Sequence, residues 1–320
     1  MPVRRALFAL PAVVLVAAGF AVPVGGDEPR RSPEPPPAAP WFVDDEQLLE
    51  RFTERLGELA DKSLPPEKLK PLVAADRTCT VRPASPSDRK LDPEDVYAAA
   101  LPGVLLFGSV VPDEDGEYTD GRMATAWVLA PDGVVVTNWH VLDNVEDGER
   151  FGAMTRDGKV YPLTDVLAVN KAADVAVVRV AATGLTPLPV ARTPARVGAW
   201  VGVLGHPGDR YYTFTQGHVS RYTKQTREDK TVEKWLTLTA EYAYGSSGSP
   251  VLDRTGAVVG MAALTEALDY PDDSPPAAAV NAQPPAMGPQ PAPVARGSTL
   301  QMVLKLATPA SAIRSAVGAE

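Results

Sequence analysis

The sequence predicts an all-β core, a barrel or a sandwich, on three observations. About ten short apolar runs rich in β-branched residues follow one another through its middle, with Gly, Pro, Asp or Asn turns between them. No stretch of helical pattern between the runs is long enough for a crossover, which excludes a doubly wound parallel sheet. Hydrophobic residues make up 45% of the chain, enough for a sizeable core, while the 33 prolines gather towards the two ends and leave those flanks poorly packed.

The elements follow in chain order. Met1-Pro-Val-Arg-Arg5 precedes an apolar run from Ala6 to Val24, and Asp27 then opens a charged stretch. This is the layout of a secretory signal, with Gly19-Phe20-Ala21 as a cleavage point. The same run is long enough for an uncleaved signal anchor, which would tether the chain to a membrane. On either reading the rest is exported, to a periplasmic or extracellular location. Residues 1–26 are thus a signal peptide or signal anchor, and 27–43 are a Pro-rich spacer that cannot bury much surface. A helical extension and linker occupy 44–91. Asp44 caps the helix with Gln47 reaching back, Val43 and Leu48 form a staple, and Leu48, Phe52, Leu56 and Leu59 share one face before Pro65-Pro66 stops it. That face needs a partner, either the core or a second copy of the chain, so an oligomer stays open.

The core domain is expected over 92–317. Asp92-Pro93-Glu94 starts a short helix. Strands are then expected at 104–110, 123–129, 134–138, 160–169, 175–180, 200–204, 214–222, 235–239, 257–264 and 300–306, with a Pro-rich inserted loop at 271–296. Thr308-Pro309 starts a terminal helix over 313–317.

A formal net charge of −9 argues against a nucleic-acid partner. Cys79 stands alone, so no internal disulfide is available, and its neighbours offer no histidine to activate it. Three histidines, none at ligand spacing, give no metal site and imply no cofactor.

Three segments carry chemistry. A serine hydroxyl becomes nucleophilic when a histidine takes its proton, and that histidine must be oriented by a carboxylate. Val134-Val-Val-Thr-Asn-Trp-His-Val141 places His140 at the end of a strand, and Ala173-Asp-Val-Ala-Val177 places Asp174 at the head of another. In Gly245-Ser-Ser-Gly-Ser-Pro250 two glycines flank Ser247, so the chain can turn sharply and the N–H groups of Gly245 and Ser247 can form an oxyanion hole. His206 and His218 read as a turn residue and a strand residue.

These segments resemble the trypsin-like serine peptidases, most closely their bacterial HtrA-like (Deg) branch. Thr137-Asn-Trp-His-Val141, Asp174-Val-Ala-Val177 and residues 245–250 match that family's three motifs in order and spacing, and Phe214-Thr-Gln-Gly-His-Val-Ser220 resembles its Thr-x-Gly-x-Val-Ser. Ser246 and Ser249 stand where Asn or Asp and Gly are commoner, and the sequence stops short of the PDZ domains that usually follow. The resemblance implies two antiparallel β-barrels with a site between them, His140, Asp174 and Ser247 as catalytic triad, and protein or peptide substrates. An α/β-hydrolase esterase is excluded, since its elbow is Gly-x-Ser-x-Gly and its order is Ser, acid, His. A catalytically silent, peptide-binding or chaperone-like protein of the same fold is the alternative. The resemblance also points to a substrate pocket walled by Glu241 and Tyr244 on one side and Ala262, Ala263 and Leu264 on the other. The apolar wall suits an aliphatic side chain, whereas Glu241 either faces solvent or awaits a basic one.

Overall fold

The described residues form two closed antiparallel barrels of six strands each, as the resemblance implies. The structure is a computed structural model that describes residues 42–269 and 300–319. The first barrel contains β1 (Val104–Pro112), β2 (Tyr118–Ala130), β3 (Val134–Thr137), β4 (Arg150–Met154), β5 (Val160–Asn170) and β6 (Val175–Val180) in the order β1-β2-β3-β6-β5-β4. The second contains β7 (Trp200–Gly205), β8 (Thr213–Thr226), β9 (Val232–Leu238), β10 (Pro250–Leu252), β11 (Val258–Asp269) and β12 (Leu300–Pro309) in the order β10-β11-β12-β9-β8-β7. Closure leaves no free sheet edge. Between Val180 and Trp200, where Pro187, Pro189 and Pro194 interrupt the pattern, the chain crosses from one barrel to the other without a strand of its own.

Each barrel closes around its own apolar interior. In the first, Leu105, Phe107, Val135, Phe151 and Val178 belong to one buried cluster. In the second, Val201, Val203, Leu238, Val251 and Val259 belong to another. A third cluster joins the outside of both barrels to the helices and contains Leu106, Trp127, Val136, Leu204 and Met261. Strand β1 is buried along seven successive residues because one face lines the barrel and the other is covered from outside.

Among the described residues four α-helices pack on this frame: α1 (Asp45–Glu58), α2 (Pro66–Val73), α3 (Pro93–Ala100) and α4 (Ala310–Ala316). Asp44 Oδ1 accepts the Gln47 N–H at 3.0 Å, the expected cap. The apolar face of α1 finds its partner within the chain: Phe52 and Leu56 are fully buried in the cluster shared with Leu106 and Met154. Helix α1 ends earlier than expected, at Glu58, and a single tight turn, Ala60–Lys62, follows it; Pro65-Pro66 instead begins α2, with Pro66 in the first turn where its missing N–H costs nothing. After α2 the chain crosses the first barrel, pairing Arg77 with Val169, and the N–H groups of Cys79 and Val81 donate to the carbonyls of Ala316 and Val317. Cys79 is free and half-buried, and burial pushes its thiol up.

All ten expected strands are present, most of them longer than expected. The two that the pattern did not reveal are β4, whose Arg-Phe-Gly-Ala-Met reads poorly as a strand, and the three-residue β10. The expected leader 1–26, nearly all of the spacer 27–43 and the insert 271–296 lie outside the described residues. Among the described residues no helix is long and apolar enough to cross a membrane.

Candidate active site

His140 is set by what holds the chain on either side of it. Strand β3 ends at Thr137, whose hydroxyl donates to the Thr125 carbonyl at 2.8 Å, and Asn138 leads into a single helical turn, Trp139–Val141. The buried Asn138 amide donates to the Asp174 carbonyl at 3.0 Å. The Trp139 indole donates to the carbonyl of Val73 at the end of α2, also at 3.0 Å. Beyond the turn, Arg122 on β2 gathers the chain: its guanidinium donates to the carbonyls of Val141, Asp143 and Asn144 and to both carboxylate oxygens of Glu149. Glu149 is 1% exposed, so its charge depends on this partner.

Asp174 immediately precedes β6. Its φ of 54° lies in the left-handed region, which Asp tolerates better than most residues. The turn is held by the Ala173 N–H donating to Asn170 Oδ1 at 3.0 Å, and the Thr308 hydroxyl of β12 donates to the Ala173 carbonyl at 2.8 Å. Strand β12 of the second barrel thereby braces the acid of the first. The buried carboxylate accepts twice from His140, from the backbone N–H at 3.0 Å and from ring Nδ1 at 2.8 Å. On the other side of the ring, Nε2 lies 2.8 Å from Ser247 Oγ. A carboxylate can only accept, so Nδ1 carries the proton of the neutral ring, and Nε2 presents its lone pair to the serine hydroxyl.

The segment around Ser247 is clasped by Thr125. The Thr125 N–H donates to the Ser247 carbonyl at 2.8 Å, its hydroxyl donates to the Gly245 carbonyl at 3.2 Å, and the Ser249 hydroxyl donates to Thr125 Oγ1 at 3.1 Å. The approach is so close that a Cβ on Gly248, whose φ is 90°, would lie 1.8 Å from the Thr125 carbonyl oxygen. Peptide orientation in this turn is also fixed. The Tyr244 carbonyl accepts from Gly208 N–H at 2.8 Å and the Ser246 carbonyl accepts from Ser249 N–H at 2.9 Å. Across a trans peptide the next N–H points the opposite way, so those of Gly245 and Ser247 are turned away from these contacts, and neither has an acceptor among the described residues.

The five expected pocket residues fall on two connected walls. Ala262 pairs with the serine turn through the Gly248 N–H to Ala262 carbonyl bond at 3.0 Å and the Ala262 N–H to Ser249 carbonyl bond at 2.9 Å. The Tyr242 hydroxyl donates to the Leu264 carbonyl at 3.3 Å and so ties the opposite wall to β11. Ala262 and Ala263 are buried, whereas Tyr244 and Leu264 are exposed. The Glu241 side chain is 76% exposed, and its Oε2 lies 2.9 Å from Lys305 Nζ. Lys305 is itself buried and donates to the Tyr242 carbonyl at 2.7 Å.

His206 and His218 lie apart from this arrangement. His206 is fully buried and accepts the Tyr212 N–H on Nδ1 at 3.0 Å, while His218 is an exposed residue of β8. No group of three His, Cys, Asp or Glu residues that could hold a metal occurs among the described residues. Sequence reasoning missed Thr125, Arg122 with Glu149, Thr308 and Lys305. One signal was present: Thr125 is a polar residue in the otherwise apolar run Met123–Leu129.

Residues 124–261 match the family model of the trypsin-like peptidase domain. The chain is 29% identical over 157 residues to a probable periplasmic serine endoprotease DegP-like of Chlamydia pneumoniae, covering 49% of this chain and 31% of that protein. It is 30% identical over 219 residues to the serine protease Rv3671c of Mycobacterium tuberculosis, covering 67% of this chain and 52% of the relative. The crystal structure of an inactive form of Rv3671c aligns with 74% of this chain and 98% of its own, at 23% identity and a TM-score of 0.49. The chain spans about half the length, or less, of these curated relatives. It carries a trypsin-like peptidase domain and is homologous to the HtrA- and DegP-like serine proteases.

Proposed function

We propose that the protein is an exported serine endopeptidase that hydrolyses peptide bonds in unfolded or extended protein segments, with Ser247 as nucleophile, His140 as general base and acid, and Asp174 as the group that orients His140. The observation that carries this reading is the unbroken chain of hydrogen bonds from Ser247 Oγ through His140 to Asp174, each link 2.8 Å long. Its carboxylate end is buried and its serine end is accessible.

The chemistry follows from this geometry. As Ser247 Oγ attacks the carbonyl carbon of a substrate peptide, its proton passes to His140 Nε2, and Asp174 stabilises the imidazolium through Nδ1–H. The carbonyl oxygen becomes an oxyanion, which the free N–H groups of Gly245 and Ser247 receive; each such donor contributes about 3 kcal/mol in enzymes of this type. Collapse breaks the C–N bond, the imidazolium gives its proton to the leaving amine, and an ester joins the acyl group to Ser247. Water then attacks the ester, again giving its proton to Nε2, and the acid product leaves with Ser247 restored. Only the unprotonated imidazole can begin the cycle, so activity falls on the acid side.

Extended segments suit a serine held where the second barrel meets the His140 and Asp174 of the first. Export is supported by the basic and then apolar start of the chain and by the periplasmic description of one relative. For the residue before the cut, the buried Ala262 and Ala263 favour a small or medium aliphatic side chain, and the Lys305 pair neutralises Glu241 against a basic one. A fluorophosphonate, which forms a bond only to an activated serine, tests the reading. The wild-type chain is expected to be labelled and the Ser247→Ala variant is not. A wild type that stays unlabelled makes it a peptide-binding protein of the same fold.

A further inference from the structure

On the second barrel a separate cavity of about 690 Å³ lies between the β8–β9 hairpin, the segment joining the barrels and α4. This volume is in the range of ordinary ligand sites. Among the described residues its lining includes Arg192, Lys224, Lys234 and Arg314 and no carboxylate, in a chain whose net charge is −9. A second concavity of about 570 Å³ shares Arg192 and Arg314 and adds Arg82, which extends the cationic surface. None of these five side chains is in an ion pair with a described residue.

The charges stand on two banks. Lys224 and Lys234 are direct partners across the β8–β9 ladder, an arrangement of like charges that costs stability unless an anion sits between them. Arg192 and Arg314 face them from the linker and α4, with Arg192 donating only to the neutral Ser85 hydroxyl at 3.1 Å. Apolar groups, among them Trp235, Val259, Pro309 and Ala310, also line the cavity. Glu233, the neighbour of Lys234 on β9, is taken up by Arg227 and by the Trp235 indole N–H. It leaves the four cations unneutralised.

From this we infer that the groove is a binding site for an extended acidic peptide segment, separate from the site between the barrels. An extended peptide turns its side chains alternately to two sides, so acidic residues can reach both banks while an apolar neighbour meets the Trp235 side of the cavity. A nucleic acid would bring far more negative charge than one short groove matches, to a protein of the same sign. The inference does not depend on catalysis.

The test uses the full chain carrying Ser247→Ala, so that nothing is cut, and a fluorescein-labelled peptide Glu-Glu-Phe-Glu-Glu-Leu-Glu-Glu followed by anisotropy. Binding is expected to weaken with salt and to be absent for the peptide with Lys in place of every Glu. Lys224→Glu turns the repulsive cross-strand pair into an attractive one, which keeps the hairpin intact while removing groove charge, and should weaken binding at least tenfold; Arg314→Gln should weaken it less. Three results would overturn the inference: no binding by the parent at low salt, equal binding after Lys224→Glu, or binding to phosphatidylserine vesicles with none to the peptide.

Discussion

His140 makes four contacts' worth of position from very few atoms: its own N–H and Nδ1 engage one carboxylate, and its neighbours Asn138 and Trp139 are tied to Asp174 and to α2. Asp174→Asn should therefore fold and still bind substrate. An amide N–H facing Nδ1 favours the wrong tautomer, and turnover should fall by up to about ten-thousandfold. Steady-state kinetics check this, and unchanged turnover would move the role to another acid. The Glu241–Lys305 pair sets a second residue-scale expectation. Lys305→Met leaves the Glu241 carboxylate without its cation, so cuts after Lys or Arg should join those after aliphatic residues when an unfolded protein is digested. Identical cut sites in wild type and variant would remove both residues from the specificity pocket.

At the scale of elements, the hub around Arg122 holds the chain that follows His140. Arg122→Ala would leave the buried Glu149 carboxylate without its cation, keeping only the Glu146 N–H, a loss of about 3 to 5 kcal/mol typical of broken buried pairs. Chemical denaturation should show it as a lower midpoint with unchanged slope; a shift under 1 kcal/mol, on the order of an exposed pair, would mean that Glu149 finds water instead. None of this hub was legible in the sequence. The strands were, because alternation and turn residues are local, and His140, Asp174 and Ser247 were, because each sits in a short string whose chemistry is local too. Arg122 and Glu149 meet only through barrel closure, Thr125 reaches the serine turn across 122 residues of chain, and Lys305 meets Glu241 through the β9–β12 register, which sets Lys305 opposite Leu238. Contacts set by register leave no pattern in a single sequence. The apolar face of α1 was visible, but its partner was not, since covering a barrel and pairing with another copy need the same pattern.

Over the whole molecule, stability should depend on a histidine that takes no part in the proposed chemistry. His206 is packed edge-on against Tyr211 and Tyr212, and burial pushes its imidazole down from 6.5 to about 4, although the nearby carbonyls of Leu105 and Gly205 pull the other way. Below pH 6.5 the unfolded chain takes up a proton that the folded chain refuses. The stabilisation is complete above 6.5 and is lost as pH falls towards 4, by roughly 3 kcal/mol in all. Unfolding free energies of wild type and His206→Asn across that window should differ in slope, and parallel curves would contradict the buried neutral state.

The central claim is that three residues from two barrels act as one unit. Groups that work together lose their effect together, so each single knock-out should cost nearly as much as all of them. The most direct measurement is peptide hydrolysis by the wild type, Ser247→Ala, His140→Ala and the double variant. The account predicts that the double variant is no slower than Ser247→Ala alone; losses that multiply from one variant to the next would show the two residues acting independently, and would contradict it.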